Sequence, residues 1–389
     1  MRQVRPGVAG NSHNATAMSA HKRTQPIDHA WPAARAATEA FLAAVPRAGR
    51  LVVFCHFDAD GLAAGAVAGR ALARLGFSDV RVVPSGRGES AFGDAARARL
   101  AALAPAALVV TDLGVKSTGV LPGVPTLYVD HHQPDGLPND GSTVVSGYAW
   151  DPVPNSAWMM WELLAPAAAA ASAPIDDLLW VAAVGTISDL GEKAPWERLP
   201  EVRKRYTAKW LKEAVALVNA ARRAPAFDVA TPLELLLVAD GPRAVGEDDA
   251  LGAGRLRAYR EEVNAALAEA RKRAPLFAGG RSPWAMIPVS SACQIHPLIA
   301  QQWRGRLPKH AVMGANAAYL PGVVAFSCRT SRRDLNLPTL LRSAIDLGAL
   351  NADFGNGHDQ ASGGHLPPEP FDRLLGALGF DARARAAVG

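Results

Sequence analysis

The apolar positions of the chain fall into runs of two kinds. Leu51–Cys55, Val80–Val83, Leu108–Thr111 and Thr126–Val129 are short, β-prone and each followed by polar or glycine residues, whereas Gly61–Leu75 (GLAAGAVAGRALARL) repeats its apolar residues at helical spacing. Strand, helix, strand in this order predicts a parallel sheet covered by helices across residues 51–190. Helices are expected at Trp158–Leu164, Asp177–Thr186, Tyr206–Ala221 and Thr231–Ala239, with a polar, proline-containing stretch at Glu192–Glu201. Asp248–Arg273 is a long amphipathic segment suited to joining two domains. Strand character returns at Trp284–Val289, Ala311–Ala318 and Val323–Cys328, followed by a helix around Leu337–Leu347 and the Gly/His-rich segment Gly355–His365. The expected class is α/β: a parallel-sheet domain and a smaller α/β C-terminal domain joined by a helical connector.

Composition narrows this picture a little. With 389 residues, 49% apolar and 20% charged, the chain has the core-forming capacity of two ordinary domains. No run of 18 apolar residues suggests a membrane span, and residues 1–50 lack the apolar segment of a secretory signal. The formal charge of +5 carries little weight. Arg2, Arg5, Lys22, Arg23, Arg35, Arg47 and Arg50, against Asp28 and Glu39, account for all of it. Residues 1–48 are therefore expected to be a disordered basic leader. Cys55, Cys293 and Cys328 form no CxxC pair and no disulfide framework, which fits a reducing cytoplasmic setting.

Four acidic clusters stand at or near element ends. His56-Phe57-Asp58-Ala59-Asp60-Gly61 follows LVVFC. In extended geometry Asp58 and Asp60 would point the same way, with Gly61 turning the chain into a helix. Asp112 follows the next apolar strand in LVVTDLG; alone it would read as a turn or N-cap residue. Asp130-His131-His132 follows TLYV, and a solvated loop is its plain alternative. Asp189 lies in VGTISDLG near a helix end, where a carboxylate fits the helix dipole poorly. In parallel sheets ligands gather beyond the carboxyl ends of strands. So many carboxylates at one sheet edge repel unless cations neutralise them, and oxygen with some nitrogen suits Mn²⁺ or Mg²⁺.

These segments resemble the motifs of the DHH phosphoesterase superfamily: HFDADG the first, TDLG the second, VDHH the third and VGTISDLG the fourth. Phe354–Gly363 (FGNGHDQASG) resembles the glycine-rich signature of the DHH-associated C-terminal domain, with Asn356 where the family usually has glycine. Ser327-Cys328-Arg329 resembles its Ser-x-Arg strand, and His296–Ala300 a segment that opens this domain in RecJ-like proteins. The resemblance implies a catalytic domain at 49–195, a helical connector at 196–275 and a substrate-binding domain at 276–389. It implies two divalent metal ions, Mn²⁺ first and Mg²⁺ second. His56, Asp58 and Asp112 would hold one, and Asp60, Asp112, His131 and Asp189 the other. His132 would meet the scissile phosphate, and Asp130 would fix an imidazole from behind. Ser327, Arg329, Gly355, Gly357 and His358 would bind substrate.

The activity so implied is a RecJ-like exonuclease or oligonucleotide phosphodiesterase acting on single-stranded DNA or short RNA/DNA, with no membrane partner and oligomeric state open. The stretch after Gly364 leaves no room for the further oligonucleotide-binding domain of full-length bacterial RecJ. That favours short substrates or recruitment by a protein partner. Hydrolysis of a cyclic dinucleotide or small phosphoester is the second expectation, and a non-catalytic nucleic-acid scaffold the third. Arg304, Arg306, Lys309, Arg332 and Arg333 form either a strand-binding track or a solvated face. Trp150, Trp158 and Trp161 read as core.

Overall fold

Residues 24–388 are described by a computed structural model, apart from the side chains of residues 351–353, 356 and 358. The described chain begins with β1 (Gln25–Pro26) and α1 (Ile27–Ala44), then β2 (Arg50–Cys55), α2 (Ala59–Arg74), β3 (Asp79–Pro84), α3 (Asp94–Ala101), β4 (Ala107–Thr111), β5 (Thr126–Asp130), β6 (Thr143–Ser146) and β7 (Trp150–Asp151). Helices α4 (Ser156–Ala170), α5 (Leu179–Leu190), α6 (Leu199–Tyr206), α7 (Ala208–Arg223), α8 (Ala230–Val238), α9 (Pro242–Glu247) and α10 (Ala253–Ala270) come next. The remainder is β8 (Leu276–Phe277), β9 (Trp284–Val289), α11 (His296–Arg306), β10 (Ala311–Leu320), β11 (Val323–Thr330), α12 (Leu337–Ala344), β12 (Phe354–His358), β13 (Ala361–Leu366), α13 (Pro368–Ala377) and α14 (Ala382–Ala386).

The first sheet is parallel throughout, in the order β3-β2-β4-β5-β6. Its central strands are continuous apolar runs because both faces are covered. Leu51, Val53 and Cys55 of β2 join the core built with α2, α4 and α5, while Val52 and Phe54 pack with Ala96 and Leu100 of α3 on the opposite face. Each such fully buried Val, Leu or Phe contributes about 1.5–3 kcal/mol. The second sheet is mixed, ordered β12-β13-β11-β10-β9-β8, with only β9 and β10 parallel. One core packs Met286, Met313 and Phe326 with Leu341 and Phe371 of α12 and α13. Another joins Ile287, Val312 and Ile299 to Val263 and Leu267 of α10 and to Ala224 after α7, so the helical stretch seats the second sheet.

Several expectations need correction. The leader does not run to residue 48: Ile27–Ala44 is helix, with Ile27, Ala30, Trp31, Ala34, Thr38, Phe41 and Leu42 buried on one face. That face is apolar enough to dock, with Trp31 edge-on to Trp150 at 4.8 Å and Arg35 paired to Glu162 at 2.8 Å. The part of the leader at residues 1–23 lies outside the described residues. Asp58 and Asp60 do not share an extended segment, because α2 starts at Ala59 and Asp60 sits in its first turn. Asp248–Arg273 is broken by a 3₁₀ turn, Asp249–Leu251, and by Gly252 at φ +98° before α10 begins. Trp150, Trp158 and Trp161 are core residues. Among the described residues no helix is long and apolar enough to cross a membrane.

Candidate metal centre

The carboxyl ends of β2, β4 and β5 lie side by side, and the ladder continues one step past them. The N–H of His56 donates to the Thr111 carbonyl and that of Asp112 to the Val129 carbonyl, both at 3.3 Å. Asp58 caps α2, its Oδ1 accepting from the N–H groups of Asp60 and Gly61 at 3.1 Å. Gly61 is required by close approach rather than by a turn, since a Cβ there would lie 2.5 Å from the His56 carbonyl oxygen. Asp112 adopts left-handed backbone geometry (φ +63°), which Asp tolerates better than most residues. Asp189 occupies the last turn of α5.

Together these residues line a cleft of about 330 Å³. Nδ1 of His56 lies 3.2 Å from Asp58 Oδ1 and 3.6 Å from Asp112 Oδ2. Nε2 of His131 lies 3.4 Å from Asp112 Oδ1 and 3.8 Å from Asp60 Oδ2, and its Nδ1 lies 3.9 Å from Asp189 Oδ2. Two donor groups result, His56/Asp58/Asp112 and Asp60/His131/Asp189, and a third combination brings His132 to Asp112 and His131; within each, the ligand atoms lie within 4.8 Å of one another. Asp112 adjoins both sides of the cleft, near His56 through Oδ2 and His131 through Oδ1.

Asp130 stands behind this cluster. Its Oδ1 accepts from the His132 N–H at 2.7 Å and lies 2.9 Å from His132 Nδ1, while Oδ2 accepts from the Gly114 N–H at 2.7 Å. It is buried, and it orients His132. The N-terminus of α4 was not anticipated as part of the centre. There, Asn155 Nδ2 donates to Asp60 Oδ1, as does the Ala157 N–H at 2.8 Å. Ser156 gives its N–H to Asp60 Oδ2 and its hydroxyl to Asp112 Oδ1, both at 3.0 Å. The only local signal was a polar Asn-Ser pair directly before an apolar helical run.

Charge within the centre is poorly balanced. Burial, with Asp112 and Asp189 nearby, holds the Asp60 carboxyl well above the usual range, and burial raises Asp189 as well. Burial opposes charging of His56, but Asp58 and Asp112 outweigh it and push the imidazole up to about 10. For His131, Asp112, Asp60 and Asp189 likewise overcome burial and push it to about 10. Against burial, His56 holds Asp58 well below the ordinary value, and His131 and His56 lower Asp112. A site that gathers carboxylate oxygens and imidazole nitrogens and forces its histidines to serve as cations has the donor chemistry of Mn²⁺ or Mg²⁺.

An arginine group adjoins the centre on the side of the second sheet. Arg222 donates to Asn219 Oδ1 and Gln294 Oε1, both at 2.9 Å, lies 5.8 Å from the Phe57 ring, and its charge helps depress Asp58. Burial and Arg222 lower the Arg223 guanidinium to about 9. Arg87 lies over Tyr319 at 4.8 Å and near Phe227 at 5.4 Å, and its buried Nε has no partner. Arg329 donates to Ser327 Oγ and the Cys328 carbonyl at 2.9 Å. Between Arg222 and Arg329, buried His296 is held neutral, its pKa pushed by burial and both cations to about 3. Among the described residues, Arg87, Arg222, Arg223 and Arg329 pair with no carboxylate.

Ser327 and Arg329 thus share β11, as the resemblance to the Ser-x-Arg strand implies. Gly355 and Gly357 take positive φ (+71° and +125°) in β12, where a Cβ would meet Arg342 and the Ala361 carbonyl oxygen respectively. Close packing explains both glycines, and the irregular register at Phe354–Asn356 lies in the same strand. The side chain of His358, expected to bind substrate, lies outside the described residues, as does that of Asn356.

No family model and no curated protein matches the sequence. Solved structures do. RecJ from Thermus thermophilus in complex with Mn²⁺ is 21% identical with a TM-score of 0.64, over 91% of this chain and 54% of that one, so this chain spans about half of that protein. A manganese-bound exonuclease RecJ is 22% identical with a TM-score of 0.63, over 91% of this chain and 94% of that one. The DHH domain of a member of the s1p family of ribosomal proteins is 13% identical with a TM-score of 0.65, over 94% and 93%. A five-stranded parallel sheet followed by a separate mixed sheet gives the chain a RecJ-like fold, and at these identities the likeness is one of fold.

Proposed function

We propose that the protein is a metal-dependent phosphodiesterase of the RecJ-like exonuclease type, hydrolysing single-stranded DNA or short oligonucleotides with two divalent cations, Mn²⁺ preferred. The observation that carries this reading is the position of Asp112, whose two oxygens face His56 on one side and His131 on the other. His56 and Asp58 complete the first set of donors, and Asp60, His131 and Asp189 the second. When bound, the cations would supply charge on the phosphate oxygens and acidify a water molecule.

The chain's own groups do the rest. Asp130 fixes the His132 ring, presenting its other nitrogen for contact with the scissile phosphate. Arg222 and Arg329, with Arg87, offer guanidinium charge that no carboxylate neutralises among the described residues, for a flanking or terminal phosphate. Ser327 on β11 and the backbone around Gly355 and Gly357 on β12, the strands flanking β13, would hold the rest of the substrate, with His358 as a further phosphate contact. The manganese-bound exonuclease RecJ structure supports the reading, and so does the complete set of donors, which a scaffold without catalysis would not need.

The test is incubation with Mn²⁺ and end-labelled single-stranded DNA and RNA, from dinucleotides to long oligomers, beside Asp130→Ala and His131→Ala proteins. Stepwise shortening that both substitutions abolish is expected, and the labelled end gives polarity. Intact strands at every length with metal-loaded wild type would overturn the proposal.

A further inference from the structure

Two aromatic side chains beside the metal centre have no part in the core. Phe57 stands between His56 and Asp58, its ring 4.2 Å from the imidazole of His56. Phe227 meets it edge-on, with ring centroids 5.2 Å apart at 71°. Both are half-buried, and neither belongs to any of the four hydrophobic clusters. A large ring that adds nothing to a core and remains partly open to water has a second use or none.

Phe227 also sits where a bulky residue is disfavoured. Its φ is +50°, in a turn closed by its N–H to the Ala224 carbonyl at 3.0 Å and by the Val229 N–H to its own carbonyl at 3.1 Å. Glycine or asparagine would occupy such a turn at less cost. Strain of this kind persists where the surroundings hold it, and it clusters at functional sites. Here it places the ring against Phe57, between two cations: Arg222 lies 5.8 Å from the Phe57 ring and Arg87 5.4 Å from that of Phe227.

We propose that Phe57 and Phe227 form a stacking shelf for one nucleobase of the bound strand, with Arg222 and Arg87 meeting the phosphates on either side. The proposal rests on the nucleic-acid reading above and adds to it how a base is held. Any base has a face to stack, so the shelf tolerates sequence while favouring purines, which offer more area. It also separates true oligonucleotides from phosphodiesters that lack a base.

The experiment uses hexanucleotides in which a tetrahydrofuran abasic residue is walked through the first three positions from each end, cleaved with Mn²⁺. At one position wild type is expected to favour the base-bearing strand by about tenfold in kcat/KM, in line with the loss of one stacked base. Phe57→Leu and Phe227→Leu, which keep apolar bulk but remove the ring, are expected to bring that ratio close to one, and Phe227→Trp to retain it. The same strands carrying 2-aminopurine at that position, bound with Ca²⁺ in place of Mn²⁺, should be quenched by wild type and not by the leucine variants. A ratio and a quench equal in wild type and both leucine variants would overturn the shelf. Quenching that depends on the two rings, without cleavage of any strand, would leave the shelf standing and remove the phosphodiesterase reading instead.

Discussion

The hydroxyl of Ser156 donates to Oδ1 of Asp112 at 3.0 Å, while the N–H of the same residue reaches Oδ2 of Asp60 at 3.0 Å. One residue at the start of α4 therefore ties together the two most buried of the four carboxylates that could hold metal, Asp58, Asp60, Asp112 and Asp189. The positive end of the helix dipole and the N–H groups of Ser156 and Ala157 offset part of the cost of holding Asp60 as an anion. Asn155 adds its amide to the same carboxylate.

Replacing Ser156 by alanine removes the tie to Asp112 and leaves the backbone contact to Asp60. Ser156→Ala is expected to weaken Mn²⁺ binding by about 10–100-fold, the usual cost of losing a partner that orients a ligand. Calorimetric titration with Mn²⁺ measures it. Ser156→Thr, which keeps the hydroxyl, should bind within a few-fold of wild type, and equal affinity for wild type and the alanine variant would dismiss the role.

Arg222 leads to an opposite expectation for metal and substrate. It donates to Asn219 and Gln294 but pairs with no carboxylate, and its charge bears on Asp58. Arg222→Gln is expected to raise KM for an oligonucleotide about tenfold, through loss of a charge-assisted contact to phosphate. Mn²⁺ affinity should be unchanged or higher, because a cation beside a metal-ligand candidate has been removed. A parallel loss of metal binding would instead make Arg222 a structural support.

Residues that could be read from the chain are those whose chemistry is local. The strands β2, β4 and β5 announce themselves as apolar runs, and His56, Asp58, Asp112, Asp130 and His131 follow from their place at or just beyond the strand ends. What could not be read is tertiary. Asn155 and Ser156 lie about a hundred positions from Asp60 and meet it only because α4 packs on α2. Arg87, Arg222 and Phe227 come from different loops and helix ends, and no local pattern marks them as neighbours. Helix α1 was hidden for another reason: its alanine-rich face and Pro32 resemble a leader until Trp31 finds Trp150.

Metal-free protein should lose stability as pH rises. His56 and His131 have folded pKa values near 10 against an unfolded value of 6.5. The folded state therefore binds more protons, so their contribution is complete below about pH 6.5 and is lost as pH climbs through 10. Bound imidazoles must be neutral, so Mn²⁺ binding expels these protons and tightens over the same range. Thermal midpoints from pH 6.5 to 10 should fall without metal and be increasingly restored by Mn²⁺. A metal-free midpoint that rises over this interval would contradict the assignment.

Gly185 sets how closely α5 approaches the centre. A Cβ there would lie 2.5 Å from the Cβ of Ala157 and 3.0 Å from Oδ1 of Asp60, so the helices meet without room for a methyl group. Asp189 lies four residues further along α5, on the same face. Gly185→Ala must push α5 outward or distort α4, and overpacking of this kind costs about 1–3 kcal/mol. The displaced helix carries Asp189 away from His131 and presses on the carboxylate of Asp60, so Mn²⁺ affinity should fall together with the thermal midpoint. Asp189→Asn provides the comparison: it should weaken metal binding while leaving the metal-free midpoint unchanged or higher, because a crowded carboxylate has been neutralised. Gly185→Ala with unaltered Mn²⁺ affinity would show that the position of Asp189 does not depend on the close contact between α5 and α4.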